Sequence, residues 1–442
     1  MSDVRVLYLG TKPIGSRDAT GQTLGSVYMG LPPDSLLQLV EDTGQVVGPN
    51  IVPLPSAATP VSGVLHWSLK KLRASKLPAP GVAHDGLNAA VQREENGAAG
   101  RLRLEAKAVS DLSPVRLPAK TVRAIGAFRP TVIHSLLGSG KMMRLALALS
   151  RRFDLPIVPH FMDDWIGSLY PNRELGGLAQ RESIQLLHRV LGRSSLCLTI
   201  GSAMASEYRT RLGVECIAVG NSVDVADYSF DLDRHDMRAA EQQELVYVGG
   251  LHLGRADVLI ELARVMRDTV MGRWTLVAHT PAVDAERFLP RHLPSNLRWG
   301  GEIDPGDVPR KLVEADALLF VESEKPSISR FTQFSVSTKV PQYLAANRPI
   351  IVVGPPGQAS VEEFRAHGAH VRVARSREAG SLGLVVAGLS EWVGAGEQRF
   401  ARARQFPEQF DAMFVRRRFA EALRSAVETH RGSQKPVVRT RQ

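Results

Sequence analysis

Short apolar runs rich in β-branched residues recur along the chain, separated by polar stretches of helix-forming composition. Val4–Leu9, Thr131–His134, Leu155–Pro159, Ser194–Ile200 and Glu215–Val219 have the length and make-up of strands in the first half. Leu245–Val248, Trp274–Ala278, Leu297–Trp299, Ala317–Val321, Ile350–Val353 and His370–Ala374 follow in the second. Ile350–Val353 has no polar alternation and stops at Gly354-Pro355-Pro356-Gly357, as suits a strand covered on both faces of a parallel sheet. Helices are predicted between strands at 140–150, Ser202–Leu212, Arg255–Met266 and Thr338–Ala346, with a long final one over Glu397–His430. Pro33–Val40 reads as a helix starting near Asp34 or Ser35, Gln45–Leu54 as a strand, and Gly10–Gly30, with five glycines, as a loop. Strand alternating with helix predicts doubly wound parallel sheets.

At 442 residues the chain exceeds one compact core and suits two such α/β domains. Charge rises and apolar content falls over Asp231–Gln243, the expected linker. The expected organisation is therefore 1–235, a second α/β domain over 236–395, a helix over 396–430 packing back on the first domain, and a basic tail, 431–442. A net charge of +10 favours anionic partners. The positive charge is dispersed and mostly Arg, without aromatic interleaving or a zinc-finger, homeodomain or RNA-recognition signature, so nucleic acid is not expected. Cys197 and Cys216 lack CxxC spacing and read as buried thiols of a reducing compartment. The first apolar run is too short for a signal peptide, and none approaches the roughly 18 residues of a membrane span. A cytoplasmic protein is expected. Val61–Leu77 interleaves Trp67 and leucines with Lys70, Lys71, Arg73 and Lys76; it is either a surface helix or a peripheral contact with an anionic membrane.

The candidate chemistry lies mainly in the second half. Gly249-Gly250 lets backbone approach a ligand, Arg255 offers fork donors for phosphate, and Gly301 gives another close approach. Ser337, Thr338 and Lys339 crowd a helix start, whose free N–H groups suit an anion; Ser337 is the expected N-cap. Together they describe a nucleoside-diphosphate pocket. In the first half, His160-Phe161-Met162-Asp163-Asp164-Trp165 falls at the carboxyl end of a strand, where ligands of open α/β sheets collect. Gly21, Gln22 and Thr23 in the glycine-rich loop are candidates on the acceptor side. Gly138-Ser139-Gly140-Lys141 fails P-loop spacing, and Met142 stands where Ser or Thr is needed; ATP is not expected there.

In order and spacing, Ser202–Asp224, Leu245–Leu259, Gly301 ahead of Ala315-Asp316-Ala317, and Thr338–Gly354 resemble glycosyltransferases of the GT-B fold, in particular family 4. The resemblance implies two Rossmann-like parallel-sheet domains facing a cleft, with a C-terminal helix crossing back. It implies a hexosyltransferase of surface polysaccharide or glycoconjugate synthesis, using a UDP- or GDP-sugar and a saccharide or lipid-linked acceptor, retaining and metal-independent. Arg255 falls on a phosphate-binding Lys, and Gly250 where many members carry Arg. The Glu-x7-Glu motif of the family falls on Phe334 and Gln342; Gln342 retains an acceptor for a ribose hydroxyl. His160, Asp163 and Asp164 fall on the loop that orients the acceptor, with His160 first as base. Two alternatives stay open: a non-catalytic nucleotide-sugar-binding protein and a GT-B nucleotide-sugar epimerase.

Overall fold

The computed structural model describes residues 4–16, 18–42, 50–54, 104–170, 174–230, 242–269, 274–367, 371–374, 379–394 and 406–433. The sequence elements at Val61–Leu77, most of the expected linker and the basic tail lie outside these. The chain divides into two compact units, 1–220 with 415–442, and 221–414.

The first unit is built on a seven-stranded parallel sheet: β1 (Val6–Gly10), β2 (Leu36–Val40), β3 (Ile51–Pro53), β4 (Val132–Ser135), β5 (Ile157–Phe161), β6 (Leu196–Thr199) and β7 (Glu215–Ala218). Their order is β3-β2-β1-β4-β5-β6-β7. The strand residues from Val6 to Leu9 and from Ile157 to Phe161 are fully buried, as apolar runs covered on both faces require. Cys197 and Cys216 are register neighbours on β6 and β7, both buried.

Two expectations fail here. The glycine-rich stretch is not all loop: Ala19–Tyr28 is a helix whose N-cap, Asp18, accepts the Gly21 N–H. Leu24, Val27 and Tyr28 give it a buried side strong enough to override its two glycines. Pro33–Val40 is not a helix but a 3₁₀ turn followed by β2, since an apolar run of this length buries equally well as a strand beside β1.

The second unit has six parallel strands in the order β10-β9-β8-β11-β12-β13: β8 (Gln243–Val248), β9 (Trp274–His279), β10 (Leu297–Gly301), β11 (Ala317–Val321), β12 (Ile350–Val353) and β13 (Val371–Ala374). Helix Arg255–Thr269 packs Leu259, Leu262, Ala263 and Met266 against Leu245, Leu276 and Leu319 on one face of the sheet. Each large side chain buried this way stabilises the unit by about 1.5–3 kcal/mol. The final helix, Ala412–Ser433, begins later than expected; from Val415 on it belongs to the first unit, where Phe419 packs on Tyr28 and the Arg416 Nε donates to Ser26 O at 2.9 Å.

Candidate functional site

In the second unit the strand order reverses between β8 and β11, and open α/β sheets bind ligands outside the carboxyl ends of strands at such a reversal. β8 runs out there into Gly249, whose φ of +135° only glycine adopts readily. A Cβ on Gly249 would stand 2.4 Å from Lys339 Cε and 2.6 Å from Nζ, so the lysine side chain lies across the glycine turn. Its ammonium is 5.6 Å from the centroid of the Tyr247 ring.

Arg255, the first residue of its helix, is 8% exposed, and its Nη2 lies 3.6 Å from Glu322 Oε2, at the end of β11. Neither Arg255 Nε nor Glu322 Oε2 has a hydrogen-bond partner. Burial opposes the arginine charge, but Glu322 and Tyr247 outweigh it and hold the guanidinium above its ordinary range. Lys339 goes the other way: burial and then Arg255 push it down to about 7, with Glu322 opposing. Two basic groups thus share one carboxylate, with hydrogen-bonding capacity left over. A site arranged so is complementary to an anion, since buried charge left unmatched is costly.

The helix beside it, Lys339–Ala346, has Thr338, not Ser337, at its N-cap, and no side chain caps it. Ser337 sits one residue further out; its N–H donates to Ser360 Oγ at 3.0 Å and its hydroxyl accepts the Lys339 N–H at 3.3 Å. Asn347 ends the helix in the left-handed conformation expected of it. Gln342 lies within this helix, half-buried.

Gly250 has a local reason to be glycine. A Cβ there would meet the His252 ring at 2.6 Å and Asp284 Oδ2 at 3.0 Å. Asp284 accepts the Leu251 N–H at 2.8 Å and lies 3.6 Å from His252 Nδ1, closing the turn. Gly301, with φ +86° and open space where a Cβ would be, ends β10, two strands from β8. Between them, at the end of β9, His279 and Thr280 are buried with both ring nitrogens and the hydroxyl unpartnered. Sequence reasoning missed Glu322 and His279; two glutamates in Glu322-Ser323-Glu324-Lys325 and a single His at a strand end carry no spacing signal.

The first-unit candidates look different. His160 is fully buried. Its Nε2 is 2.8 Å from Val219 O, so it carries the proton; Nδ1 then accepts from His134 Nε2 at 3.2 Å, and His134 Nδ1 accepts from the Tyr28 hydroxyl at 2.7 Å. One carbonyl fixes both tautomers of the chain. Burial pushes His160 down to about 4 and His134 well below its ordinary value. A ring with both nitrogens occupied and no access to solvent is not placed as the base expected of it. Asp164, 7% exposed, accepts from Tyr208 at 2.7 Å and from Arg211 Nη1 through both oxygens at 3.1 and 3.2 Å, a structural tie to helix Ser202–Leu212. Asp163 is half-buried beside it. Gly21, Gln22 and Thr23 lie in the first turns of Ala19–Tyr28; Gly21 is packed on Ser16, and the Thr23 hydroxyl donates to Ala19 O. The failed P-loop stretch is a helix start capped by Ser139, whose hydroxyl accepts the Met142 N–H.

Among the described residues no group of three or more His, Cys, Asp or Glu is placed to hold a metal ion, and no helix is long and apolar enough to cross a membrane.

No family model matches the chain, and no curated protein matches it in sequence. Solved structures do resemble it in fold. The α,α-trehalose-phosphate synthase (UDP-forming) of Burkholderia vietnamiensis is 12% identical, covering 96% of this chain and 100% of its own, with a TM-score of 0.54. The α,α-trehalose 6-phosphate synthase of Burkholderia multivorans is 13% identical over 98% and 99%, with a TM-score of 0.55. The sucrose-phosphate synthase of Thermosynechococcus elongatus is 11% identical over 97% and 98%, with a TM-score of 0.51. With its seven-stranded and six-stranded parallel sheets, the chain has the GT-B fold of these glycosyltransferases.

Proposed function

We propose that this protein is a glycosyltransferase that moves a hexose from a UDP- or GDP-sugar to a saccharide or lipid-linked acceptor, with retention of configuration and without a metal ion. One observation carries the reading. Lys339, the first residue of its helix, lies across Gly249 at the strand-order reversal of the second unit, and Arg255, which acts electrostatically on it, keeps its buried Nε unmatched. A diphosphate supplies the missing acceptors and charge. In the reaction these groups stabilise the diphosphate as it leaves the sugar, an electrostatic role that needs no covalent help from the protein. His279 and Thr280 extend the same edge of the sheet with unpartnered polar atoms for the rest of the nucleotide. The UDP-forming activity of the Burkholderia vietnamiensis synthase agrees with a donor of this class. Of the acceptor-side candidates, Asp163 is the one retained; His160 and Asp164 serve the core.

The test is a thermal-shift panel of UDP-, GDP-, ADP- and TDP-sugars, followed by product analysis with and without saccharide acceptors. One series raises Tm, as binding to the folded state alone must. Arg255→Ala abolishes the rise, and sugar appears on the acceptor. Conversion of the donor sugar without acceptor supports the epimerase; binding without conversion supports the binding protein. Stabilisation by none of the four series defeats the reading.

A further inference from the structure

The chain of 442 residues carries two cysteines, and the fold sets them side by side. Cys197 on β6 and Cys216 on β7 are register neighbours in a parallel pair, so their side chains leave the same face of the sheet. Adjacent strands run about 4.8 Å apart, inside the Cα separation of about 4.4–6.8 Å that a disulfide spans. Both thiols are free and buried. Two cysteines placed without constraint would seldom meet in this way. We propose that they form a redox-modification site, a dithiol that hydrogen peroxide converts to an intramolecular disulfide within the folded chain, with Cys216 reacting first and thiol reductants reopening the bond.

The two positions differ in a way that sets the order of reaction. β7 is the last strand of its sheet and pairs on one side, with β6. It can therefore close the small gap between the sulfurs, or open locally to admit a small oxidant, without parting the strands behind it. Glu215 beside Cys216 is exposed, and Ile217 and Ala218 are half-buried. The Cys216 thiol lies 3.4 Å from Val214 O, and Arg209 Nη2 donates to Cys216 O at 3.2 Å. Interaction with the Cys197 thiol, helped by the Arg209 charge, holds Cys216 below its ordinary value against burial and Glu215. Cys197, on the inner strand, is raised by Cys216 and by burial.

The Cys216 thiolate attacks one peroxide oxygen; the O–O bond breaks, hydroxide leaves with the thiol proton as water, and Cys216 becomes a sulfenic acid. The Cys197 sulfur then attacks the Cys216 sulfur. The S–S bond forms, the S–O bond breaks, and hydroxide departs with the Cys197 proton as a second water. The two sulfurs give up two electrons and the peroxide takes them. The bond ties β7 just ahead of Val219, whose carbonyl fixes the His160 tautomer, so it secures the strand on which that buried chain ends.

Full-length protein treated with dilute hydrogen peroxide is expected to lose both titratable thiols and the mass of two hydrogen atoms per chain. Digestion should yield peptides joined through Cys197 and Cys216, and dithiothreitol should restore both thiols. The oxidised form should need more urea to unfold than the reduced form, because a cross-link that the native geometry accepts constrains only the unfolded chain. Dimedone, which captures sulfenic acids, should label Cys216 in Cys197→Ala and leave Cys197 unlabelled in Cys216→Ala. Retention of both thiols by the folded wild type, disulfides that join two chains, or an oxidised form that unfolds in less urea overturns the proposal. Dimedone on Cys197 in place of Cys216 does so too. The wild-type readouts stand even where an alanine variant fails to fold.

Discussion

Two buried polar clusters, one in each unit, are completed in opposite ways. In the first, Tyr28, His134 and His160 hand one hydrogen bond to the next until Val219 O ends the chain, and Asp164 is matched by Tyr208 and Arg211. In the second, Arg255, Glu322, His279 and Thr280 are as deeply buried but keep atoms without partners. Buried polar atoms are nearly always satisfied, and one left open is costly. A cluster closed on itself stabilises a fold, whereas one left open is a place for something else. Both kinds look alike as residue types at strand ends.

The largest expected break comes at Arg255. Arg255→Ala should lower sugar transfer by about 10²–10³-fold, the usual loss when a preorganised charge-stabilising donor is removed. It should also destabilise the second unit by about 3–5 kcal/mol, because Glu322 stays buried without its partner. Adding Glu322→Gln removes that stranded charge and should recover most of the stability and none of the transfer. Recovery of transfer along with stability, read in an acceptor assay beside urea unfolding, would make Arg255 a structural residue like those of the first unit.

Next in size is an acid response belonging to the closed cluster. His160 is held at about 4, against an ordinary value of 6.5, and His134 is lowered too. Between those values the unfolded chain binds protons that the folded chain refuses, so stability is complete above pH 6.5 and falls as pH drops towards 4. His160 alone should contribute a loss of about 3 kcal/mol across that window. Gln at 160 can make the same two hydrogen bonds without titrating. His160→Gln should therefore flatten part of the slope of unfolding free energy against pH while nucleotide-sugar binding persists. An undiminished slope would place the acid sensitivity elsewhere.

Much of this was legible in the residues. Ala317–Val321 and Ile350–Val353 fall where the pattern puts them because each is an uninterrupted apolar run, and helix Ser202–Leu212 because Gly201 and Gly213 bracket it. Arg255 and Lys339 were legible as charges at helix starts beside a glycine turn. The helix Ala19–Tyr28 was not, since Ala-Thr-Gly-Gln-Thr-Leu-Gly-Ser-Val-Tyr has weak propensity and is held by its buried side. His160 was misread because a histidine after an apolar run is identical in sequence whether its ring meets solvent or another ring. Glu322 went unseen for the converse reason: only its direction, inward to Arg255, distinguishes it from Glu324 two residues on.

A smaller effect separates the aspartates. Asp164→Asn keeps the shape but gives up the charge that Arg211 and the Tyr208 hydroxyl share, and should cost about 1–3 kcal/mol in chemical unfolding. Nucleotide-sugar affinity should stay within twofold of wild type. An affinity loss matching that of Arg255→Ala would return Asp164 to the reacting centre.

The smallest and sharpest contrast is between two helix starts. Asp18 fills the tip of Ala19–Tyr28 with a carboxylate: it accepts the Gly21 N–H at 2.9 Å, pairs with Lys12 at 2.9 Å and takes the Ser16 hydroxyl. Burial would raise its pKa, but these contacts outweigh it, so the tip already holds an anion of its own. Thr338 occupies the same position on Lys339–Ala346 and caps nothing. Asp18→Ala should therefore cost about 1 kcal/mol of stability, the normal worth of an N-cap, with nucleotide-sugar affinity unchanged. Thr338→Ala should leave stability within about 0.5 kcal/mol, as at positions free of such features. Its effect should appear instead as a few-fold loss of affinity, since the hydroxyl is held in reserve for a phosphate oxygen. If calorimetry and urea unfolding give the two substitutions the same profile, both tips are ordinary caps, and the second unit loses the asymmetry on which the proposed anion site rests.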